Sequence, residues 1–254
     1  MLFAGRPVHV TSPQGRFEAG AALLDGRVLD EVWSYGKHLF ARFGADVLHV
    51  HLGLYGGYTG GTGAPPPARG ALRMRWVADG PDGDGVWTDL RGPTACEVLA
   101  DPDVDAILAR LGPDPLRPRA DAGRALRRIA GSRTPVGALL MDQSVLAGVG
   151  NVYRAELLFR HQVSPFRPGR GIGAELWARM WADLVTLMRA GVRMGRIVTT
   201  RPEHRSRTRG AVSLEDARYV YRRTGLPCRI CGTDVRTEVM VGRNLYWCPV
   251  CQAT

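Results

Sequence analysis

Four cysteines near the C-terminus constrain this chain more than any other residues. Cys228 and Cys231 form one C-x2-C pair, and Cys248 and Cys251 form a second, with sixteen residues between the pairs. Each pair offers two thiolates from one tight turn. Four thiolates complete the tetrahedral shell that zinc prefers and leave no open position for chemistry. The spacing therefore predicts one structural zinc. Two disulfides are the alternative, disfavoured because no secretory signal is read and the remaining cysteine, Cys96, stands alone. Between the pairs, Val235–Val241 alternates like a strand, Gly242-Arg243-Asn244 reads as a turn, and Leu245-Tyr246-Trp247 returns. The metal is expected to pin a β-hairpin with Arg243 at its tip. A guanidinium there suits an oxyanion, and a merely solvated arginine is the plainer alternative.

Charge points the same way. The 254 residues carry a formal net charge of +10, and the isoelectric point is near 10.0. Such a balance calls for a polyanionic partner, most simply nucleic acid. An anionic membrane ranks lower, because the chain shows no basic amphipathic helix with a bulky apolar face and no lipidation signal. No apolar run approaches the roughly 20 residues of a membrane span. The cysteine usage fits a reducing cytoplasm. Of the 34 lysines and arginines, only Lys37 is lysine. In a chain that uses arginine wherever bare charge suffices, a lone lysine marks a position that needs a compact amine able to give up a proton; a chance survivor is the alternative.

Residues 1–100 read as mostly β. Arg6–Val10, Gly26–Leu29, Leu72–Val77 and Val86–Leu90 are short and β-prone, and Val32–Phe43 reads as a hairpin or one bent strand. In 48–55, Leu48, Val50, Leu52 and Leu54 alternate onto one face. His49 and His51 fall on the other, as polar-face histidines without a third metal ligand in view. Gly56–Gly70 reads as a mobile Gly/Pro-rich loop. Strands at this spacing predict a β-sandwich.

Beyond Pro102 the pattern turns helical. Val104–Leu111, Ala122–Ala130 and Pro135–Gln143 read as helices, with a boundary at Gly112-Pro113-Asp114-Pro115. The glycine turn 147–150 leads into a helix over Asn151–Arg160 with Asn151 as its expected cap. Such a turn presents backbone N–H groups to a phosphate, although ligand-free helical hairpins share the pattern. Glu175–Val192 is a long amphipathic helix whose Leu176, Met180, Leu184 and Leu187 form a core stripe flanked by Trp177 and Trp181. Arg201–Gly210 is a basic loop, either DNA-facing or disordered.

Four ordered motifs carry a resemblance that spans nearly the whole chain. They are Ser34-Tyr35-Gly36-Lys37-His38-Leu39, then His51-Leu52-Gly53-Leu54-Tyr55-Gly56, then Leu140-Met141-Asp142-Gln143 with Gly148-Val149-Gly150-Asn151-Val152-Tyr153-Arg154-Ala155-Glu156, and finally Gly242-Arg243-Asn244 before the last cysteine pair. Together they resemble the formamidopyrimidine-DNA glycosylase/endonuclease VIII family, with Leu54-Tyr55 closer to the endonuclease VIII branch. The resemblance implies an α+β chain of three parts: a β-sandwich over 1–100, a helix–two-turn–helix domain over 101–212, and a four-cysteine zinc-finger hairpin over 213–254, with damaged double-stranded DNA held between. It implies a bacterial, cytoplasmic and nucleoid-associated monomer. The implied activity is excision of oxidised bases followed by β,δ-elimination at the abasic site. Lys37 would contact a lesion-flanking phosphate and donate a proton. Arg243 would clamp phosphate and assist the second elimination. Asn151 and His51 would hold phosphates, and Arg133 is counted with the DNA-binding residues. Leu54 and Tyr55 would fill the hole left by the flipped base, an unstacking that costs a few kcal/mol. Gly53 departs from the larger polar residue of endonuclease VIII, so a smaller wedge is expected.

A second departure concerns chemistry. The family begins, after its initiator, with Pro-Glu and a helix: the proline amine attacks C1′ and the glutamate is the acid/base. This chain begins Met1-Leu2-Phe3-Ala4-Gly5-Arg6-Pro7, which matches the segment after that helix. Pro7 offers only an amide nitrogen, and Glu18 and Glu31 fall outside the motif order. Three readings stand: a start placed downstream of the true one, a catalytically silent module that binds lesions or abasic sites, or a weak lyase using Lys37 or the Met1 amine. Without the helix, the sandwich is expected to expose an apolar patch. A zinc-ribbon adaptor would need neither Lys37 nor the Gly-x-Gly-Asn turn.

Overall fold

The computed structural model describes residues 2–80, 83–206 and 210–253. The chain divides into two compact units, 1–110 and 111–254. Met1, whose amine is one of the candidate nucleophiles, and residues 207–209 of the basic loop lie outside the described residues.

In the first unit the strands are β1 (Pro7–Thr11), β2 (Arg27–Val28), β3 (Glu31–Tyr35), β4 (His38–Phe43), β5 (Asp46–His51), β6 (Gly57–Thr62), β7 (Leu72–Asp79), β8 (Gly85–Arg91) and β9 (Ala95–Leu99). They form a five-stranded sheet ordered β2-β1-β7-β8-β6 and a four-stranded sheet ordered β3-β4-β5-β9. All pairings are antiparallel. One apolar cluster joins them, with Val8 and Val10 from β1, Phe43 from β4, Leu48 and Val50 from β5, Met74 and Trp76 from β7, and Leu90 from β8. Alternate residues of each strand enter it, as a two-layer sandwich requires.

Helix α1 (Glu18–Leu24) is an element that the mostly-β reading did not include; Phe17, Ala21 and Leu24, spaced one helical turn apart, bury themselves in the sandwich core. The Gly/Pro-rich segment is also partly ordered, because β6 pairs with β8 from Gly57 to Thr62. Its glycines are what allow the pairing: a Cβ on Gly60 would stand 2.9 Å from the Trp87 carbonyl, and one on Gly61 would stand 3.1 Å from the Trp87 ring. Helix α2 (Asp101–Arg110) packs near β5 with Val104 and Ile107 buried. An apolar groove of about 300 Å³ opens among Leu2, Phe3, Leu29, Leu39, Tyr58 and Trp76.

The second unit holds α3 (Ala122–Ala130), α4 (Val136–Leu139), α5 (Asn151–Arg160), α6 (Ala174–Met194) and the hairpin β10 (Arg236–Met240) with β11 (Arg243–Trp247). Its helical core gathers Ile129, Val136, Leu140, Leu157, Met180 and Leu184. On α6 it is Trp177, not Leu176, that turns fully inward, and its indole donates to the Ala122 carbonyl at 2.8 Å. The helix expected over Pro135–Gln143 ends after one turn. Polar side chains explain the break. The Gln143 amide donates to the Met141 and Val149 carbonyls and accepts from Gly148 N, while Asp142 accepts from Ser144 N. These local bonds outcompete helix propagation and shape the turns between α4 and α5. The zinc hairpin packs on α5 through Ala155, Phe159, Tyr219, Val235 and Tyr246.

Candidate functional site

In the first unit the candidate residues sit at two neighbouring turns. Tyr35 pairs with His38 at the end of the β3–β4 ladder, so Gly36 and Lys37 form a two-residue turn. Gly36 takes φ +58°, which a primed hairpin turn demands, and Lys37 is left exposed at the tip. His51 ends β5 and its carbonyl accepts from Thr94 N at 2.8 Å. The chain then turns tightly, Gly56 N bonding to the Leu52 carbonyl at 3.0 Å. The turn throws Leu54 and Tyr55 outward, 58% and 89% exposed. The apolar alternation read through Leu54 therefore ends at Leu52. Gly53 has a local cause: φ is +69°, and a Cβ would stand 1.8 Å from Thr94 Oγ1. The side chain of Thr94 occupies the room a larger residue would need.

His49 is not a polar-face residue. It is 3% exposed, its Nδ1 lies 2.9 Å from Glu97 Oε1, and its Nε2 lies 2.8 Å from Nδ1 of a third histidine, His38. Sequence reading missed His38 because it lies on the adjacent strand, opposite His51. Burial, then the nearby His51, His49, Arg110 and Lys37, lowers the His38 pKa to about 4. His51 is lowered as well, by burial and then by His49 and Lys37.

In the second unit the hairpin and α5 meet. The hairpin turn is Val241-Gly242, both at positive φ, and Arg243 is the first residue of β11, opposite Met240. Arg243 thus stands one step back from the tip expected for it. Asn151 is not the cap of α5; Gly150 takes that position and Asn151 opens the first turn. Its amide is used sideways, donating from Nδ2 to the Asn244 carbonyl at 2.8 Å. Arg154, three residues on and so on the same helix face, donates to Asn151 Oδ1 and reaches the Met240 and Asn244 carbonyls at 3.3 Å.

Arg154 is 0% exposed, and among the described residues its recorded partners are neutral oxygens while Nε has none. Burial, and then repulsion from Arg243, lowers its pKa to about 10, so it remains a cation at neutral pH. A buried positive charge whose recorded partners are all neutral projects a field that favours an anion at this surface. Sequence reading missed Arg154, although its i+3 spacing from Asn151 was a usable signal. Arg133 is exposed in the loop between α3 and α4.

The four cysteines converge. Their sulfurs all lie within 4.8 Å of one another, with Cys228–Cys251 at 3.8 Å and Cys231–Cys248 at 3.4 Å. A tetrahedral zinc–tetrathiolate centre with bonds of about 2.3 Å spaces its sulfurs about 3.8 Å apart. Backbone N–H groups of Ile230 and Cys251 point at Cys228 and Cys248 sulfurs, at 3.5 and 3.4 Å. Burial raises the pKa of Cys248 and Cys251, so a dication is what offsets the cost of gathering four thiolates here. The cluster fits one structural zinc.

Comparison with known proteins follows this geometry. Residues 5–96 match the formamidopyrimidine-DNA glycosylase N-terminal domain, residues 111–203 its H2TH domain, and residues 225–254 the zinc finger found in FPG and IleRS. The chain belongs to the formamidopyrimidine-DNA glycosylase family. Endonuclease 8 1 of Mycobacterium tuberculosis is 53% identical over 255 aligned positions, covering 98% of this chain and 93% of that protein. The DNA-(apurinic or apyrimidinic site) lyase Nei2 of Mycolicibacterium smegmatis is 38% identical, covering 90% and 84%. The crystal structure of the MutM (Fpg) protein from Thermus thermophilus superposes with a TM-score of 0.73 at 30% identity, covering 99% and 92%.

Proposed function

We propose that this protein is a base-excision-repair DNA glycosylase and abasic-site lyase, acting on oxidised bases and on abasic sites in double-stranded DNA by β,δ-elimination. The observation that carries the reading is the Arg154 cluster, a buried cation that ties the start of α5 to the Arg243 hairpin and biases both toward phosphate. In this reading Asn151 and Arg243 hold backbone phosphate in the second unit, and Arg243 assists the second elimination. Lys37 and His51 do the corresponding work in the first unit, with Lys37 as proton donor, and Arg133 adds a phosphate contact. Leu54 and Tyr55, large apolar groups held in water, are the wedge that enters the duplex, with Gly53 keeping it small. Zinc supplies no chemistry; it fixes the hairpin that presents Arg243. The bacterial relatives support a cytoplasmic setting, on the nucleoid.

A second reading is a catalytically silent module that binds lesions or abasic sites. Borohydride trapping on an abasic-site oligonucleotide separates the two. The chain as it stands is compared with a chain preceded by a Met-Pro-Glu helix. An adduct from the extended chain is expected. An adduct from the shorter chain, mapped to Lys37 or Met1, assigns the lyase to one of those amines. No adduct from either, with abasic DNA still bound, leaves the silent module.

A further inference from the structure

The sheet face built by β4, β5 and β9 carries a hydrogen-bonded chain that the glycosylase reading leaves unused. It runs from Glu97 Oε1 to His49 Nδ1 at 2.9 Å, and from His49 Nε2 to His38 Nδ1 at 2.8 Å. Strand register builds it. His49 stands opposite Glu97 on β9 and opposite Phe40 on β4, and His38 stands opposite His51. Phe40 packs against the His49 ring at 5.1 Å between centroids, and the His38 ring lies nearly parallel to that of His49, 16° between planes, with centroids also 5.1 Å apart. The packing leaves His49 little freedom to turn and little water to bond.

With Glu97 ionised and His49 neutral, such a chain fixes where the protons sit. An ionised carboxylate only accepts, so His49 Nδ1 carries hydrogen and donates it. In the neutral ring Nε2 is then a lone pair, and it accepts from His38 Nδ1–H. His38 is left with its own lone pair on Nε2, the nitrogen that faces away from the chain. The groups facing His38 are Lys37 from the β3–β4 turn, His49 and His51 from β5, and Arg110 from α2. Four potential cations and partial burial resist a further positive charge, so the ring stays neutral at pH 7 and its outer nitrogen stays an acceptor. A histidine's role is set by the partner of its other nitrogen, and here that partner is specified two residues away, at Glu97.

We propose that Glu97 and His49 are positioning residues that lock His38 as an outward hydrogen-bond acceptor and thereby order the Lys37–His51 edge for binding the DNA backbone. This rests on the reading of Lys37 and His51 as phosphate ligands. Reversing the tautomer would put an N–H where the acceptor stood and alter the edge without adding charge.

The chain has six histidines, few enough for histidine-labelled nitrogen spectra of the full protein to be assigned. Wild type is expected to show His38 as the neutral Nδ1–H tautomer at pH 7, titrating below pH 5. Glu97→Gln, whose amide both donates and accepts, is expected to give mixed tautomers at His38. It should also weaken binding to an abasic duplex at pH 7 roughly tenfold, the size of one coupled interaction, with Glu97→Asp restoring part of it. His38 found cationic or Nε2-protonated in wild type overturns the proposal. So does a Glu97→Gln protein that melts lower yet keeps the His38 tautomer and the affinity, since that describes a purely structural residue. Wild type that binds no abasic DNA removes the phosphate-ligand reading and the functional half of the inference with it, while the tautomer spectra still decide whether the chain is ordered as described.

Discussion

Gly53 shows how one missing side chain constrains a turn. Its φ of +69° disfavours any Cβ, and Thr94 Oγ1 fills the space a Cβ would take. Gly53→Ala is therefore expected to cost about 1–3 kcal/mol, part backbone strain and part overpacking. Thr94→Ala in the same chain should recover the packing share and leave the strain, a separation that urea melts of the single and double variants would resolve. Arg154 is the other decisive residue. Arg154→Met removes the buried charge while keeping volume, so the fold should survive, but abasic-DNA affinity should fall and its salt dependence should flatten by about one unit if one phosphate contact is lost with the Asn151–Arg243 alignment. Titrating binding against salt checks both. Val241 is a β-branched residue at φ +53° in the hairpin turn. The strain it stores is held in place by the Met240–Arg243 pair that closes the ladder at the turn.

At the scale of elements, α5 is the organiser of its unit. Its Glu156 is fully buried and accepts from Tyr219 N at 2.7 Å and from Val220 N and Tyr221 N at 2.8 Å, with the Thr199 hydroxyl as a fourth donor. One carboxylate thus anchors the segment that leads into the zinc hairpin. Glu156→Gln leaves donors without a matched acceptor and is expected to cost about 2–3 kcal/mol, seen first as faster hydrogen exchange at residues 219–221. The far end of α5 is tied to α6 by Asp183, which takes two bonds from Arg160 at 2.7 Å and one from His161 at 3.1 Å. Burial alone would raise the Asp183 pKa; the bonds from His161 and Arg160 overcome it and hold the carboxyl well below the usual range. A depressed carboxyl stabilises the fold above its unfolded pKa of about 3.9 and loses that contribution as pH falls toward the folded value. Stability should therefore drop below about pH 4, and Asp183→Asn should flatten that drop in urea melts at pH 7 and pH 3. Elements with strong periodicity were legible in the sequence: α3 and α5 have the bounds their patterns predict, and the sandwich strands lie close to theirs. The misses share a cause. Helix α1 is seven residues long and is held by the sandwich core, β6 consists largely of glycines whose pairing depends on Trp87, and the turns after α4 follow side-chain bonds of Asp142 and Gln143. Each was decided by partners distant in sequence or by polar side chains, which periodicity does not record.

For the molecule as a whole, metal and charge do different work. The zinc ligands come from two cysteine pairs whose hairpin shares a cluster with α5, so chelation should loosen that hairpin and abolish specific abasic-DNA binding while leaving the sandwich folded. Circular dichroism and binding measured before and after chelator, then after restored zinc, would show it. The four-cysteine cluster was legible because residue identity and spacing carry its chemistry. The candidate site was not legible where a residue acts through others: His38, His49 and Glu97 lie on three strands, and nothing in their sequence neighbourhoods marks them as one chain.

The β3–β4 turn has one further consequence. It holds the only lysine of the protein, exposed at a glycine-led tip. An acylating reagent has a single side-chain amine to find, and a lysine-specific protease a single bond to cut. Lys37 is thus a built-in chemical reporter. Protection of that side chain by abasic DNA from either reagent would report occupancy of the turn without a tag or a mutation.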